Sequence, residues 1–82
     1  MSAEIPKAGG LKKRSFSVAG HRTSIALEPE FWAALDAEAR AKALPLAALV
    51  ARIDAGRAER NLASALRVHV LRRALEKTVS AT

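Results

Sequence analysis

The sequence predicts a mainly helical fold with one short strand, in a single domain within a chain of 82 residues. Two patterns predict this fold class. Apolar residues recur at helical spacing in the segments after residue 28, and a short run before them alternates polar with apolar residues. The apolar half of the chain consists mainly of Ala, Leu and Val, a composition typical of helices.

The first residues read as an arm rather than as part of the fold. Residues 1–13 contain Pro6, Gly9, Gly10 and lysines with almost no apolar periodicity, so we expect a disordered basic arm. The folded domain is then predicted over residues 14–78, with a frayed tail over residues 79–82.

Residues 22–27 predict the strand, because they alternate and are rich in β-branched side chains. The period of two sorts these side chains onto two faces. The core face comprises Thr23, Ile25 and Leu27, and the open face comprises Arg22, Ser24 and Ala26. A lone strand cannot form a sheet, so either residues 15–18 pair with it in a hairpin or it pairs with its copy in a second subunit.

Three helices are predicted after the strand. The first covers residues 29–43, because Pro29 between two glutamates suits a helix start. The second begins at Pro45 and runs to Ala55, with Leu46, Leu49, Val50 and Ile53 on one face. The third covers residues 62–77 after the N-cap Asn61, with apolar residues up to Leu71 and Leu75 predicted to face inward.

Composition and motifs argue against catalysis. The chain has no cysteine, His21 and His69 are far apart in sequence, and no His, Asp or Glu cluster has metal-ligand spacing. We therefore expect no enzyme activity, no metal and no cofactor, and interpret His69 as a partly buried packing histidine. The longest apolar stretch, residues 44–51, is far short of the roughly 20 residues of a membrane span, so a cytoplasmic location is expected.

Size and charge favour a self-associating protein with a polyanionic partner. A folded core of roughly 60 residues buries only about 60% of its unfolded surface, which makes a homo-oligomer the first expectation. The net charge is +6, and both ends of the chain are basic while the middle is mildly acidic. Such a distribution suggests nucleic acid, although a solubilising arm has the same composition.

Two copies of the predicted strand, paired antiparallel about a two-fold axis, make a ribbon narrow enough for the DNA major groove. The open face then presents Arg22, Ser24 and Ala26 to base edges. An arginine bonds bidentately to guanine, a serine bonds to several bases, and an alanine methyl contacts a thymine methyl. The alternative is an exposed strand face that is simply solvated.

The chain resembles the ribbon-helix-helix domain family, in particular a short alphaproteobacterial-type branch. The resemblance lies in GHRTS at residues 20–24, LEPEFW at residues 27–32, LAALVARID at residues 46–54 and NLASALRV at residues 61–68, and it covers about residues 14–75. It implies an intersubunit antiparallel two-stranded ribbon and a dimeric DNA-binding protein, usually a transcriptional repressor. The third helix lies beyond the minimal family core.

Site residues follow from this resemblance. It implies base contacts by Arg22, Ser24 and Ala26, and a phosphate clamp at the backbone amides of Leu46 and Ala47. The basic arm adds candidate phosphate contacts at Lys12, Lys13, Arg14 and His21. The candidate dimer core comprises Thr23, Ile25, Leu27, Trp32, Leu49 and Ile53. The chain departs from the family in having Pro45 where a small polar residue is common, and an apolar Ala26 on the open face.

Two classes of function are thereby predicted. The first is a homodimeric, sequence-specific regulator that binds double-stranded DNA, with higher-order assembly on DNA left open. The second is a protein-interaction module, such as an antitoxin or an adaptor, that holds a protein partner through residues 62–77 or through the arm.

Overall fold

A computed structural model describes residues 10–80 as a β-hairpin followed by three helices. The elements are β1 (Lys12–Val18), β2 (His21–Leu27), α1 (Pro29–Ala41), α2 (Leu46–Ala55) and α3 (Leu62–Ser80). The predicted helices are all present, with α1 two residues shorter and α3 three residues longer than expected. Most of the predicted arm, residues 1–9, and the end of the predicted tail, residues 81–82, lie outside the described residues.

The structure adds a second strand to the one that the sequence predicted. β1 and β2 form a two-stranded antiparallel sheet in which Ser15 lies opposite Ser24. Of the two pairings that the sequence left open, the structure has the hairpin within the chain. The hairpin also includes Lys12 and Lys13, which the sequence assigned to the arm. Backbone pairing does not require apolar side chains. The alternation of polar and apolar residues therefore did not predict the part of β1 that has three consecutive basic residues.

A two-residue turn joins the strands. Ala19 and Gly20 have φ values of 52° and 81°, so both lie in the left-handed region. This is the pattern of a type I′ turn, whose twist matches that of the paired strands. Gly20 adopts such a conformation freely, whereas Ala19 pays about 1 kcal/mol for it.

The core lies between the inner face of the hairpin and the three helices. Its largest fully buried side chains are Trp32, Leu27, Leu35, Leu49, Leu66 and Val50. Ile25 and Val18 add one buried side chain from each strand. The inner face of β2 is therefore sealed by helices, which leaves the opposite face of the hairpin to solvent.

Local chemistry explains the helix boundaries. α1 ends in a Schellman motif, because Leu44 N donates to Ala39 O at 2.9 Å and Ala43 N donates to Arg40 O at 3.1 Å. Ala43, at the C′ position of this motif, has a φ of 56°. α3 begins as predicted, since the side chain of Asn61 accepts a 2.8 Å hydrogen bond from Ser64 N.

α3 extends past the elements that cover it. Leu66 in its first half is fully buried, but Leu71 and Leu75 are 54% and 55% exposed. The prediction that these two leucines face inward is therefore wrong for the single chain. A helix of 19 residues is about 28 Å long, and α1 and α2 are too short to cover all of it. None of the described helices is both long enough and apolar enough to cross a membrane.

Candidate nucleic-acid interface

The two faces of β2 are those that the period of two predicts. Ile25 and Leu27 are buried and Thr23 is half-buried, whereas Arg22 and Ser24 are exposed and Ala26 is half-buried on the other side. Because residues opposite each other in an antiparallel pair point to the same side, β1 extends the open face with Lys13, Ser15 and Ser17. The open face of the hairpin therefore comprises six residues: Lys13, Ser15, Ser17, Arg22, Ser24 and Ala26.

Hydrogen-bonding groups occupy the middle of this open face. The hydroxyls of Ser15 and Ser24 lie 2.9 Å apart and bond to each other across the strands. Arg22 lies opposite Ser17 and, among the described residues, forms no salt bridge. The face thus has donors and acceptors at its centre, a cation at each end and no carboxylate.

The neighbouring basic residues lie on the other face. Lys12, Arg14 and His21 pair with core-face positions of the opposite strand. Arg14 donates to both carboxylate oxygens of Asp36, at 3.1 and 3.3 Å, and its guanidinium lies 4.8 Å from the centre of the Trp32 ring. Of the three consecutive basic residues that the sequence offered as phosphate contacts, the structure brings only Lys13 to the open face.

The start of α2 leaves two backbone donors unused. Pro45 is the N-cap and supplies no side-chain cap, as the sequence anticipated. The first amides of this helix that donate to its backbone are those of Ala48 and Leu49, both to Pro45 O. Within the described residues, the amides of Leu46 and Ala47 therefore have no protein acceptor, and such amides attract anions.

The predicted dimer-core residues divide into two groups. Ile25, Leu27, Trp32 and Leu49 are buried within the single chain. Thr23 and Ile53 are only partly buried. The first group already stabilises the chain by itself, so an intersubunit role for these residues stays a prediction.

Sequence reasoning missed a buried carboxylate. Glu38 is 3% exposed, and its side chain contacts Lys42 Nζ at 2.7 Å, His69 Nε2 at 2.8 Å and Arg73 Nε at 3.5 Å. Burial acts to raise the pKa of Glu38, but the hydrogen bonds from Lys42 and His69 and the nearby positive charges outweigh it and hold the pKa below 4.5. The available signal was the spacing of four residues on both helices, 38 with 42 on one side and 69 with 73 on the other.

A second ion pair joins α3 to the end of the hairpin. Arg67 Nε donates to Glu28 Oε1 at 3.0 Å, and the Arg67 guanidinium lies 5.9 Å from the centre of the Phe31 ring. A backbone hydrogen bond at Glu28 itself, followed by the bond from Arg67, lowers the pKa of Glu28. Ion pairs thus join α3 to the start of α1 at Glu28 and to its second half at Glu38.

No group of three or more His, Asp or Glu side chains that could hold a metal ion occurs in residues 10–80. The sequence model of the ribbon-helix-helix domain family matches residues 11–74, which is most of the chain. No curated protein matches the chain. No solved structure matches it either.

Proposed function

Because the chain belongs to the ribbon-helix-helix domain family, whose members are in general DNA-binding regulators, we propose that it is a homodimeric, sequence-specific transcriptional repressor. Such domains are typically non-enzymatic. The observation that carries this proposal is the open face of the hairpin. It is solvent-exposed, bears hydrogen-bonding and cationic side chains, and has no carboxylate that would repel DNA.

The proposed dimer forms at the outer edge of β2. In the described residues β2 pairs only with β1, so its other edge has unpaired backbone groups. Pairing this edge with the same edge of a second copy, antiparallel about a two-fold axis, places two β2 strands at the centre of a wider sheet. Strands lie about 4.8 Å apart and the major groove is about 12 Å wide, so the central pair fits the groove.

In this arrangement β2 contacts the bases. Arg22 bonds to guanine O6 and N7, Ser24 bonds to the neighbouring base edge, and the methyl of Ala26 packs on a thymine methyl. Two copies of each residue read two half-sites related by the dimer axis. The target is therefore a palindromic sequence.

Phosphate contacts come from the flanks. Lys13 lies opposite Ala26 on the open face, one strand spacing outward from the reading strand and hence towards the DNA backbone. The free amides of Leu46 and Ala47 hold a second phosphate, without the hydroxyl that a polar residue in place of Pro45 would add. Lys12, Arg14 and His21 belong to the other face and are not assigned to this contact.

One experiment tests the proposal directly. The mass of the full chain is measured in solution, and binding sites are selected from random duplex DNA at physiological salt. We expect a dimer that enriches a palindrome. A monomer that enriches no palindrome would contradict the proposal.

The exposed half of α3 favours a second candidate function, a protein-interaction module such as an antitoxin or an adaptor. Leu71 and Leu75 are more than half exposed on the surface formed by residues 62–77. Large apolar side chains exposed together are typical of a protein contact. A small toxin-like reading frame beside the gene, and a stable complex of the two products, would favour this alternative over a stand-alone repressor.

A further inference from the structure

A basic cleft lies among α2, the connection from α2 to α3, and α3, outside the hairpin. Its volume is about 290 Å³. Five Lys and Arg side chains line it, and among the described residues no Asp or Glu does. The five are Lys42, Arg52, Arg57, Arg60 and Arg72.

Only two of these cations have carboxylate partners. Lys42 pairs with Glu38 at 2.7 Å, and Arg57 pairs with Asp54 at 2.6 Å. Within residues 10–80, no salt bridge is formed by the remaining three cations, Arg52, Arg60 and Arg72. Three uncompensated positive charges therefore surround one concave surface.

The helix ends nearby do not cancel these charges. Lys42 and Gly56 follow the C-termini of α1 and α2, each of which carries about half a negative charge. The two helix ends together carry about one negative charge, whereas the unpaired arginines carry three positive charges. A cleft lined by one sign of charge also concentrates the field within it, so an anion is attracted.

The base of the cleft is apolar. Leu49 is almost fully buried there, and Ile53 and Val68 are partly buried beside it. An apolar base surrounded by cations suits a ligand that has both an anionic group and an apolar or aromatic part. The DNA backbone has the anionic groups but would leave the apolar base uncovered.

We propose that this cleft binds a small organic phosphate with a planar ring, of about the size of a nucleoside monophosphate. Three arginines can donate to the several oxygens of a phosphate, whereas a carboxylate offers only two oxygens. The ring packs on the exposed parts of Ile53 and Val68, the partly buried residues of the apolar base. The volume is close to the lower end of the range for ligand pockets, which favours a small ligand.

The test measures binding to the full chain by calorimetry at physiological ionic strength, with adenosine monophosphate, inorganic phosphate and adenosine as probes. We expect saturable binding of one adenosine monophosphate per chain, at least tenfold tighter than that of inorganic phosphate, and no binding of adenosine. The double variant Arg52→Gln/Arg72→Gln should weaken adenosine monophosphate binding at least tenfold. The matched control Arg22→Gln, which removes one exposed arginine from the hairpin, should leave it unchanged.

Three results would overturn the proposal. The first is absence of saturable adenosine monophosphate binding. If the double variant then weakens binding to random duplex DNA instead, the cleft is a DNA-backbone contact. The second is equal affinity for adenosine monophosphate and inorganic phosphate, which would remove the role of the apolar base. The third is an equal loss of adenosine monophosphate affinity in the Arg22→Gln control.

Circular dichroism verifies that each variant is folded. If the double variant unfolds, the single variant Arg60→Gln, in the exposed connection, provides the same test. Because the probes contain no duplex and the control lies on the hairpin, this proposal can fail while the DNA-binding proposal stands.

Discussion

The indole Nε1 of Trp32 donates a 2.7 Å hydrogen bond to the backbone carbonyl of Lys12, which fastens α1 to the first residue of β1. The same ring lies 4.8 Å from the guanidinium of Arg14 and 5.9 Å from the ring of Phe16. Trp32 thus contacts three consecutive inward-facing positions of β1. This explains how a strand with a basic, weakly patterned sequence is held against the helices.

Replacing Trp32 by Phe should destabilise the protein because it removes this hydrogen bond together with part of a buried ring. The change leaves the Lys12 carbonyl without its donor, and an unpaired, partly buried acceptor costs about 1–3 kcal/mol. Urea unfolding measures the loss, and amide hydrogen exchange should accelerate in β1. The control Phe16→Leu removes the aromatic contact but keeps the bond, and should cost less. Equal losses in both variants would show that the hydrogen bond is not the cause.

The two faces of the hairpin should respond differently to loss of a basic side chain. Arg22→Ala should reduce discrimination between the selected site and random duplex by about 1–3 kcal/mol, because a base contact is lost. Lys13→Ala should weaken binding to all duplexes alike, since it removes a phosphate contact. Arg14→Ala, on the other face, should change stability more than DNA affinity. These effects are measured by fluorescence anisotropy with both duplexes, and a specificity loss in Arg14→Ala equal to that in Arg22→Ala would contradict the assignment of faces.

DNA binding should weaken steeply with salt. If a dimer neutralises the four phosphates assigned to Lys13 and to the start of α2 in its two chains, the slope of log affinity against log salt concentration is about −4, at roughly 0.9 per phosphate. Titrations of a fixed duplex between low and moderate salt measure this slope. Lys13→Ala, which removes two contacts per dimer, should reduce its magnitude by about 2. Binding that does not change with salt would argue against a phosphate-contacting dimer.

Two of the three described alanines with positive φ are sites where we test whether glycine stabilises the fold. Ala43 ends α1 at 56° and Ala19 lies in the hairpin turn at 52°. Glycine has no steric penalty in this region, so Ala43→Gly and Ala19→Gly should each raise the free energy of unfolding by up to about 1 kcal/mol. Thermal unfolding measures the change. Ala37→Gly within α1 serves as the control and should lower stability by about 1 kcal/mol; stabilisation by all three glycines would refute the backbone argument.

Glu38 should make stability depend on acid pH. Because contacts with Lys42, His69 and Arg73 lower its pKa in the folded protein, its contribution is present above about pH 4.5 and is lost as the pH falls through the lowered folded value. Glu38→Gln should reduce stability at pH 7 and flatten the loss of stability below pH 4.5. Urea unfolding over pH 3–7 measures both effects. The exposed Glu76→Gln is the control and should leave the pH profile close to that of the original chain.

Local sequence chemistry predicted the helices and one strand correctly. Pro29 and Pro45 mark helix starts because proline has a helix-compatible φ and needs no amide partner there, and Asn61 caps α3 with its own side chain. The period of two also placed Arg22 and Ile25 on opposite faces of β2, since side chains alternate between the two faces along a strand. These features depend on residues close together in the chain.

Features that depend on distant residues were decided by the tertiary structure. β1 forms because a tight turn folds it back onto β2 and Trp32 reaches its backbone. Glu38 is buried because α3 brings His69 and Arg73 to it.

The sequence by itself therefore determined the helix order, the helix caps and the two faces of β2, because local backbone preferences and side-chain periodicity act over a few residues. It could not determine which of the basic residues are paired. Arg14 is paired with Asp36, whereas Arg22 and three of the four arginines of the basic cleft have no salt bridge within residues 10–80. That difference arises only when packing sets the distances between charges from separate elements, and the open face and the basic cleft both depend on it.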